Sequence, residues 1–378
     1  MRVRSNRPLA TTNNEETDGV VTATGAVDSE ETDAPPPSPP PVEFDDIKDE
    51  LPYVQILNRL LPPDIRVLAW AAHPPADFSA RFNCRGRHYR YYFSNPAVAP
   101  RHTTGHLDIS RMREAASYFL GEHDFRNFCK LDASKQINNF KRVIYASSIE
   151  EVPNIPTPTS NGAESPKMYY FNLHGTAFLW HQVRHMIAML FLVGQGSEEP
   201  TLIRQLLDVS SNPRRPQYEM ADDKALVLWD CYFPEGVLDW VYGQTEEKDG
   251  LMDTVWMGWH RTRIEEVLRG ELVGAVENVK RRAIESMGVD KEKADVVRKG
   301  HVLVEGGSRV VYRGKYIPVL ERPRLDDIEV LNEKYRNNRP QRATGKGKAR
   351  RAREAEVAAS LEGEKGEVEV EVEVGSGG

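Results

Sequence analysis

From Leu51 onward the apolar positions of this chain change period several times, and each change predicts an element. "YVQILNRLLP" carries a helical period and "DIRVLAWAAH" an extended one. "ARFNCRGRHYRYYFSN" alternates as a strand, with Arg87, Tyr89 and Tyr91 on one face and His88, Arg90 and Tyr92 on the other. "LDISRMREAASYFLGEHDF" predicts a helix with Asp108 as its N-cap, a stripe of Ile109, Met112, Ala116 and Phe119, and Gly121 as its stop. "NNFKRVIYASSIEEV" and "KMYYFNLHGTAF" predict strands on either side of the loop "PNIPTPTSNGAESP". "AFLWHQVRHMIAMLFLVGQG", Ala177 to Gly196, reads as one long helix, apolar nearly all round. "PTLIRQLLDVS" gives a short helix and "KALVLWDCYF" a strand. This order predicts an α+β fold, an antiparallel sheet with helices on one face.

The flanks differ in kind. Residues 8–50 hold twelve acids and one lysine and end in a proline run, so they are expected to stay disordered. Before them, "MRVRSN" alternates like the stub of a strand, over residues 1–7. Residues 51–236 are the expected α/β domain, and 237–333 a charged, helical extension with most of its helix in 245–300. Residues 334–353 hold nine Lys or Arg and no acid, and residues 354–374 hold eight Glu, so 334–378 is expected to be a disordered basic-then-acidic tail.

The formal net charge of −7 hides that segregation. Residues 81–142 carry twelve Lys or Arg against five Asp or Glu among many aromatics, which is what a polyanion-binding face needs. Three scattered cysteines, Cys84, Cys129 and Cys231, form neither a disulfide framework nor a metal cluster and fit a reducing compartment, cytoplasm or nucleus. Arg2, Arg4 and Arg7 without an apolar run do not read as a secretory leader. The longest apolar run, Met186 to Val193, is too short to cross a bilayer, so no membrane partner is expected.

Two stretches carry candidate chemistry. In "GRHYRYYF" aromatic rings can stack bases while guanidinium groups hold phosphates; the same residues also serve as ordinary cross-strand pairs. His181 and His185 share a helical face, but Gln182 stands where a zinc-hydrolase helix has Glu and no third ligand follows, so no metal is expected. Arg184 lies among Trp180, Ile187, Ala188 and Phe191 and cannot shed its charge. Its expected partner is a structural carboxylate, a nucleic-acid phosphate or a catalytic carboxylate.

"DFSARFNCRGRHYRYYFSN", "GEHDFRNFCKLD", "GTAFLWHQVRHMIAMLFLVGQG" and "KALVLWDCYFPEG" occur in the order found in TruA-type tRNA pseudouridine synthases, and the chain resembles that family, above all its eukaryotic (38/39) branch. "YIPVLERPRLDDIEVLNEKY" resembles the C-terminal segment of the same branch. The resemblance implies the pseudouridine synthase catalytic fold, mainly its second α/β half, and isomerisation of uridine in the tRNA anticodon stem-loop with no metal or organic cofactor. It implies that Tyr89 packs on the target base and that Arg184 pairs with a nucleophilic aspartate; Arg85, Arg87, Arg90, Lys130 and His181 are the basic residues placed on the RNA.

The family's aspartate sits in a Gly-Arg-Thr-Asp loop, and this sequence contains none. Asp18 in "TDGV" lacks the preceding Gly-Arg and lies in the acidic tract. The chain is therefore expected to be an N-terminally incomplete synthase, inactive by itself and poorly soluble because of an open sheet edge. The alternative function is a non-catalytic RNA-binding protein derived from the synthase. A third arrangement has the absent half supplied by another chain.

Overall fold

A computed structural model describes residues 44–97, 106–135, 137–153, 166–242, 251–286 and 316–338. The strand stub at 1–7, Asp18, most of the acidic tract and the tail beyond residue 338 lie outside the described residues. In chain order the elements are α1 (Tyr53–Leu60), β1 (Ala69–Ala71), β2 (Gly86–Asn95), α2 (Ile109–Ser117), β3 (Gly121–Asp124), β4 (Lys141–Glu151), β5 (Lys167–Gly175), α3 (Gln182–Gly194), α4 (Leu202–Leu207), β6 (Leu226–Tyr232), β7 (Trp240–Tyr242), α5 (Leu251–Ser286) and α6 (Ile328–Asn338).

Five strands form one antiparallel sheet in the order β3-β4-β5-β2-β6, and β1 pairs with β7 in a separate ribbon. β2 is the hub: Tyr89 lies opposite Leu173 of β5 and Leu228 of β6. The alternation expected of β2 holds. Tyr91 and Phe93 are buried against Phe191 of α3, while His88, Arg90 and Tyr92 turn to the other face, among Asn172 and Tyr170 of β5. The core lies between the first face and the helices α2 and α3, as an α+β sheet with helices on one side requires.

The local signals explain most boundaries. Asp108 caps α2, its Oδ1 accepting the Arg111 N–H at 3.0 Å. Its own N–H donates to the Gly194 carbonyl at 2.7 Å, fastening the start of α2 to the end of α3. The two helices cross so closely that a Cβ on Gly194 would lie 2.6 Å from Met112 Sδ. α2 stops at Ser117, and Gly121, at φ +97, turns the chain into β3. The helix ends four residues ahead of its expected stop at Gly121, and beyond that glycine the chain is a short strand, so Phe119, Phe125 and Phe128 reach one aromatic cluster from different elements.

α3 also departs from its expected span. It begins at Gln182, and the five residues Ala177 to His181 form the turn that carries the chain off the end of β5. His181 closes that turn in the left-handed region at φ 59 and ψ 16. Within α3 every residue except Arg184 is buried. Past the α/β unit, α5 runs through 36 residues of the segment expected to be charged and helical; residues 245–250 and 287–300 of that segment are outside the described residues. The segment before α6, expected to be extended, makes a 3-10 turn at Val319–Glu321 and returns to the core: Val319 is fully buried, and its N–H donates to Glu198 Oε1 at 2.7 Å. β6 is an outer strand of the sheet, and Leu228, Trp229 and Tyr232 on it are exposed. Among the described residues no helix is long and apolar enough to cross a membrane.

The closest packing in the sheet is at Gly175, where a Cβ would stand 2.7 Å from the Val143 carbonyl oxygen, 2.9 Å from Ile144 Cδ1 and 3.2 Å from Phe178 Cζ. Backbone cannot swing aside as a side chain can. Gly175→Ala is expected to cost about 1–3 kcal/mol of stability, by the usual scale of overpacking, read as a lowered urea midpoint. A midpoint equal to that of the parent chain would show that β4 and β5 are not held this tightly.

Candidate active site

The turn from β5 into α3 brings together most of the side chains singled out from the sequence. Thr176 N–H donates to the Val143 carbonyl at 3.1 Å, and the chain then folds Phe178 back over the sheet. The Phe178 ring meets Tyr89 edge-on, with centroids 5.1 Å apart. Tyr89 is half-buried on the helix-covered face. Burial raises its hydroxyl above the ordinary tyrosine value, opposed by the charge of Arg87. The phenol therefore keeps its proton at neutral pH. Further along the same face, burial pushes Tyr91 up to about 12, with Asp222 and Asp223 adding to the shift and Arg184 opposing it. Those charges stand over the same side of the sheet as Tyr89.

Arg184 projects from the first turn of α3. Its Nε–H donates to the Ala221 carbonyl at 2.6 Å, and its own carbonyl accepts the Ala221 N–H at 3.0 Å. This reciprocal pair clamps α3 to the loop before β6. The anion sought for Arg184 is, in this chain, Asp223: Nη1 lies 3.4 Å from its Oδ2. The two partners are unequal. The arginine side chain is 15% exposed and the aspartate 72%, so the carboxylate approaches from solvent through a single contact. Such a pair is worth under about 1 kcal/mol. Nη2 has no partner among the described residues, so a guanidinium with five N–H donors retains capacity for a second anion. Sequence reasoning left a structural carboxylate open without naming one; the available signal was the Asp222-Asp223 pair just ahead of a strand.

His181 and His185 do not converge on a shared ligand position. The His181 carbonyl accepts both the backbone N–H of His185 at 3.1 Å and its ring Nδ1–H at 2.9 Å, which fixes the neutral tautomer with the proton on Nδ1. Among the described residues no group of three His, Cys, Asp or Glu is placed to hold a metal. The left-handed backbone of His181 costs a non-glycine residue on the order of 1 kcal/mol or more, a kind of strain that clusters at functional sites. Lys130 reaches the same turn, its N–H donating to the Trp180 carbonyl at 2.9 Å.

The other basic residues divide. Arg87 shares the face of Tyr89. Arg85 donates its N–H to the Tyr232 carbonyl at 2.8 Å, at the entry to β2. Arg90 points the opposite way, its guanidinium 3.7 Å from the Trp229 ring centroid and 4.6 Å from that of Tyr170. The five basic residues therefore do not make one continuous surface: Lys130, His181 and Arg87 lie on the side of Tyr89 and Arg184, and Arg90 lies behind the sheet.

Residues 115–234 match a family model described as tRNA pseudouridine synthase. Brevibacillus brevis tRNA pseudouridine synthase A is 30% identical over 185 residues, covering 47% of this chain and 68% of that protein. The chain belongs to the TruA-type tRNA pseudouridine synthase family. Within this synthase family, the tRNA pseudouridine(38/39) synthase of Saccharomyces cerevisiae is 42% identical over 287 residues, 76% of this chain and 57% of that protein. The Homo sapiens protein of the same name is 36% identical over 289 residues, with coverage of 74% and 56%. The chain thus spans somewhat more than half the length of these curated relatives.

His185 gives this synthase fold an acid sensitivity. It is 3% exposed, and burial, then the charge of Arg215, lowers its imidazole from 6.5 to about 3. The unfolded chain therefore takes up a proton first as pH falls below 6.5, and stability declines toward about 3 by at most about 1.4 kcal/mol per pH unit. His174 and His181, also lowered by burial, act in the same direction. Between pH 6.5 and about 5, His185→Gln is expected to flatten the fall in urea midpoint. An unchanged slope would place the acid sensitivity elsewhere.

Proposed function

We propose that this chain provides the substrate-holding part of a tRNA pseudouridine synthase that acts on uridine in the anticodon stem-loop, at the 38/39 positions named for its relatives. The observation that carries the reading is the arrangement of Tyr89 and Arg184: a protonated phenol on a sheet face, and a guanidinium fixed by a backbone carbonyl whose carboxylate partner is exposed and weakly held. The reaction exchanges the bond from ribose C1′ to uracil N1 for one to C5, with no net change in redox state, and so calls for no organic or metal cofactor. It needs an ionised carboxylate as nucleophile, a group that keeps that carboxylate ionised, and a surface that holds the detached uracil while it turns.

Arg184 suits the second task. An incoming carboxylate would meet its free Nη2 and displace Asp223, and a neighbouring guanidinium holds a carboxylate in its charged form. Tyr89 suits the third, offering a ring face and a hydroxyl that stays protonated. Arg87, Lys130 and His181 would bear on the RNA from the same side, with Arg85 at the entry to β2. The nucleophile is not supplied by these 378 residues, which contain no Gly-Arg-Thr-Asp. In isolation the chain then behaves as the alternative reading has it, an RNA-binding protein without chemistry. Cytoplasm or nucleus suits its three scattered cysteines.

The test combines turnover with binding. With anticodon stem-loop RNA tritiated at uridine C5, the isolated chain is expected to release no tritium. In an anisotropy titration it is expected to bind the same RNA with affinity that falls steeply with salt. Tyr89→Ala should weaken binding roughly tenfold, in line with the loss of one stacked base. Tritium release would show that the chain carries its own nucleophile, and absence of binding at low salt would remove the reading altogether.

A further inference from the structure

Trp180 stands at the tip of the turn between β5 and α3, 38% exposed. An indole at such a position leaves apolar surface in water, and the core makes no use of it. What lies against it is a pair of ammonium groups and an imidazole whose protonation burial and the neighbouring cations disfavour. Lys130 Nζ is 4.6 Å and Lys135 Nζ 4.8 Å from the ring centroid, and the His181 ring is tilted against it at 4.8 Å. Lys130 has no carboxylate within salt-bridge distance among the described residues. Lys135 meets Asp132 only at 3.9 Å, and that carboxylate already accepts the N–H and hydroxyl of Ser134 at 2.9 and 2.6 Å. The Trp180 ring lies against that of His181, and α3, which carries Arg184 in its first turn, begins at the next residue, so the patch borders the candidate active site.

We propose that Trp180 is the stacking platform for an unpaired nucleotide beside the target uridine, with Lys130 and Lys135 taking the phosphates that flank it. The inference rests on the RNA-binding reading above and adds a subsite to it. An aromatic face bordered by cations that carboxylates hold only loosely is the arrangement that binds single-stranded nucleic acid without base-specific hydrogen bonds. In the free chain the ammonium groups rest on the ring, where cation–π attraction keeps the indole oriented. When RNA arrives, each lysine needs only to swing to a phosphate while a base takes the ring. The bond from Lys130 N–H to the Trp180 carbonyl holds one lysine and the indole in register during that exchange. Trp180 sits in the turn that leads into α3 and Arg184 in that helix's first turn, and on this proposal the nucleotide on Trp180 is a neighbour of the one undergoing chemistry.

The test is a set of anisotropy titrations with anticodon stem-loop RNA and with versions of it that are abasic at one unpaired loop position at a time. Trp180→Ala is expected to weaken binding of the intact RNA roughly 5- to 100-fold, the range of one lost base stack, and Trp180→Phe to recover most of it. One abasic position should weaken binding to the parent chain and have no further effect on Trp180→Ala. Lys130→Gln and Lys135→Gln should each reduce the slope of log K against log salt by roughly 0.7, the single-strand value per phosphate. The proposal is overturned if Trp180→Ala binds within twofold of the parent, or if its loss adds to that of every abasic position. In either case, sensitivity to Tyr89→Ala would leave the broader function standing. If the parent chain binds no RNA, both readings fall.

Discussion

The burial of α3 governs the rest of this structure. Twelve of its thirteen residues are buried, so the helix must be enclosed on nearly every side. The sheet covers it through Tyr91 and Phe93, and α2 crosses it at Gly194. An all-round apolar helix in a chain of this size is stable only as the centre of a core. Arg184 is the one residue of α3 left outside that enclosure, and so packing, rather than any interaction of its own, determines where its charge emerges. The Ala221 carbonyl then orients the guanidinium. A functional group has been placed by the requirement that its neighbours be dry.

The same enclosure explains what was legible in the sequence and what was not. Period two in "GRHYRYYF" correctly separated Tyr89 and Tyr91 from Arg90 and Tyr92. It could not say that the helices cover the first set, and so did not separate Arg90 from the candidate site. The start of α3 was misplaced because Phe178 and Leu179 are as apolar as the helix that follows. They pack against the same core from a turn, and apolar count alone does not distinguish a turn from a helix when both are covered. His181 in the left-handed region carries no composition signal at all. β7 and the return of Val319 to the core were missed for a related reason: each depends on a partner distant in sequence, Ala69–Ala71 for β7 and Glu198 for Val319.

Capping and turn signals are legible in the sequence because they are local. Asp108 accepts from the N–H three residues on, and Gly121 takes the positive φ that ends a helix-to-strand turn. Neither needs knowledge of the fold. Asp223 falls between these cases. A carboxylate was foreseen as one way to satisfy Arg184, and its identity depended on how the loop before β6 lies over α3, which the Ala221 bonds determine.

That loop also decides what kind of site this is. A fully buried Arg–Asp pair would be costly to open, since separating it leaves a desolvated charge without a partner. Here the aspartate is mostly in water, so it loses little when it leaves, while the arginine stays in place because Ala221 holds it. The guanidinium is thus fixed in orientation but replaceable in partner. Trp180 shows the same asymmetry at the turn before α3: its backbone carbonyl is held by the Lys130 N–H, while the lysine side chains over the ring are only loosely paired. A rigid receptor with weakly held occupants is what a site requires if it is to exchange intramolecular contacts for those of a polyanion without rebuilding its core.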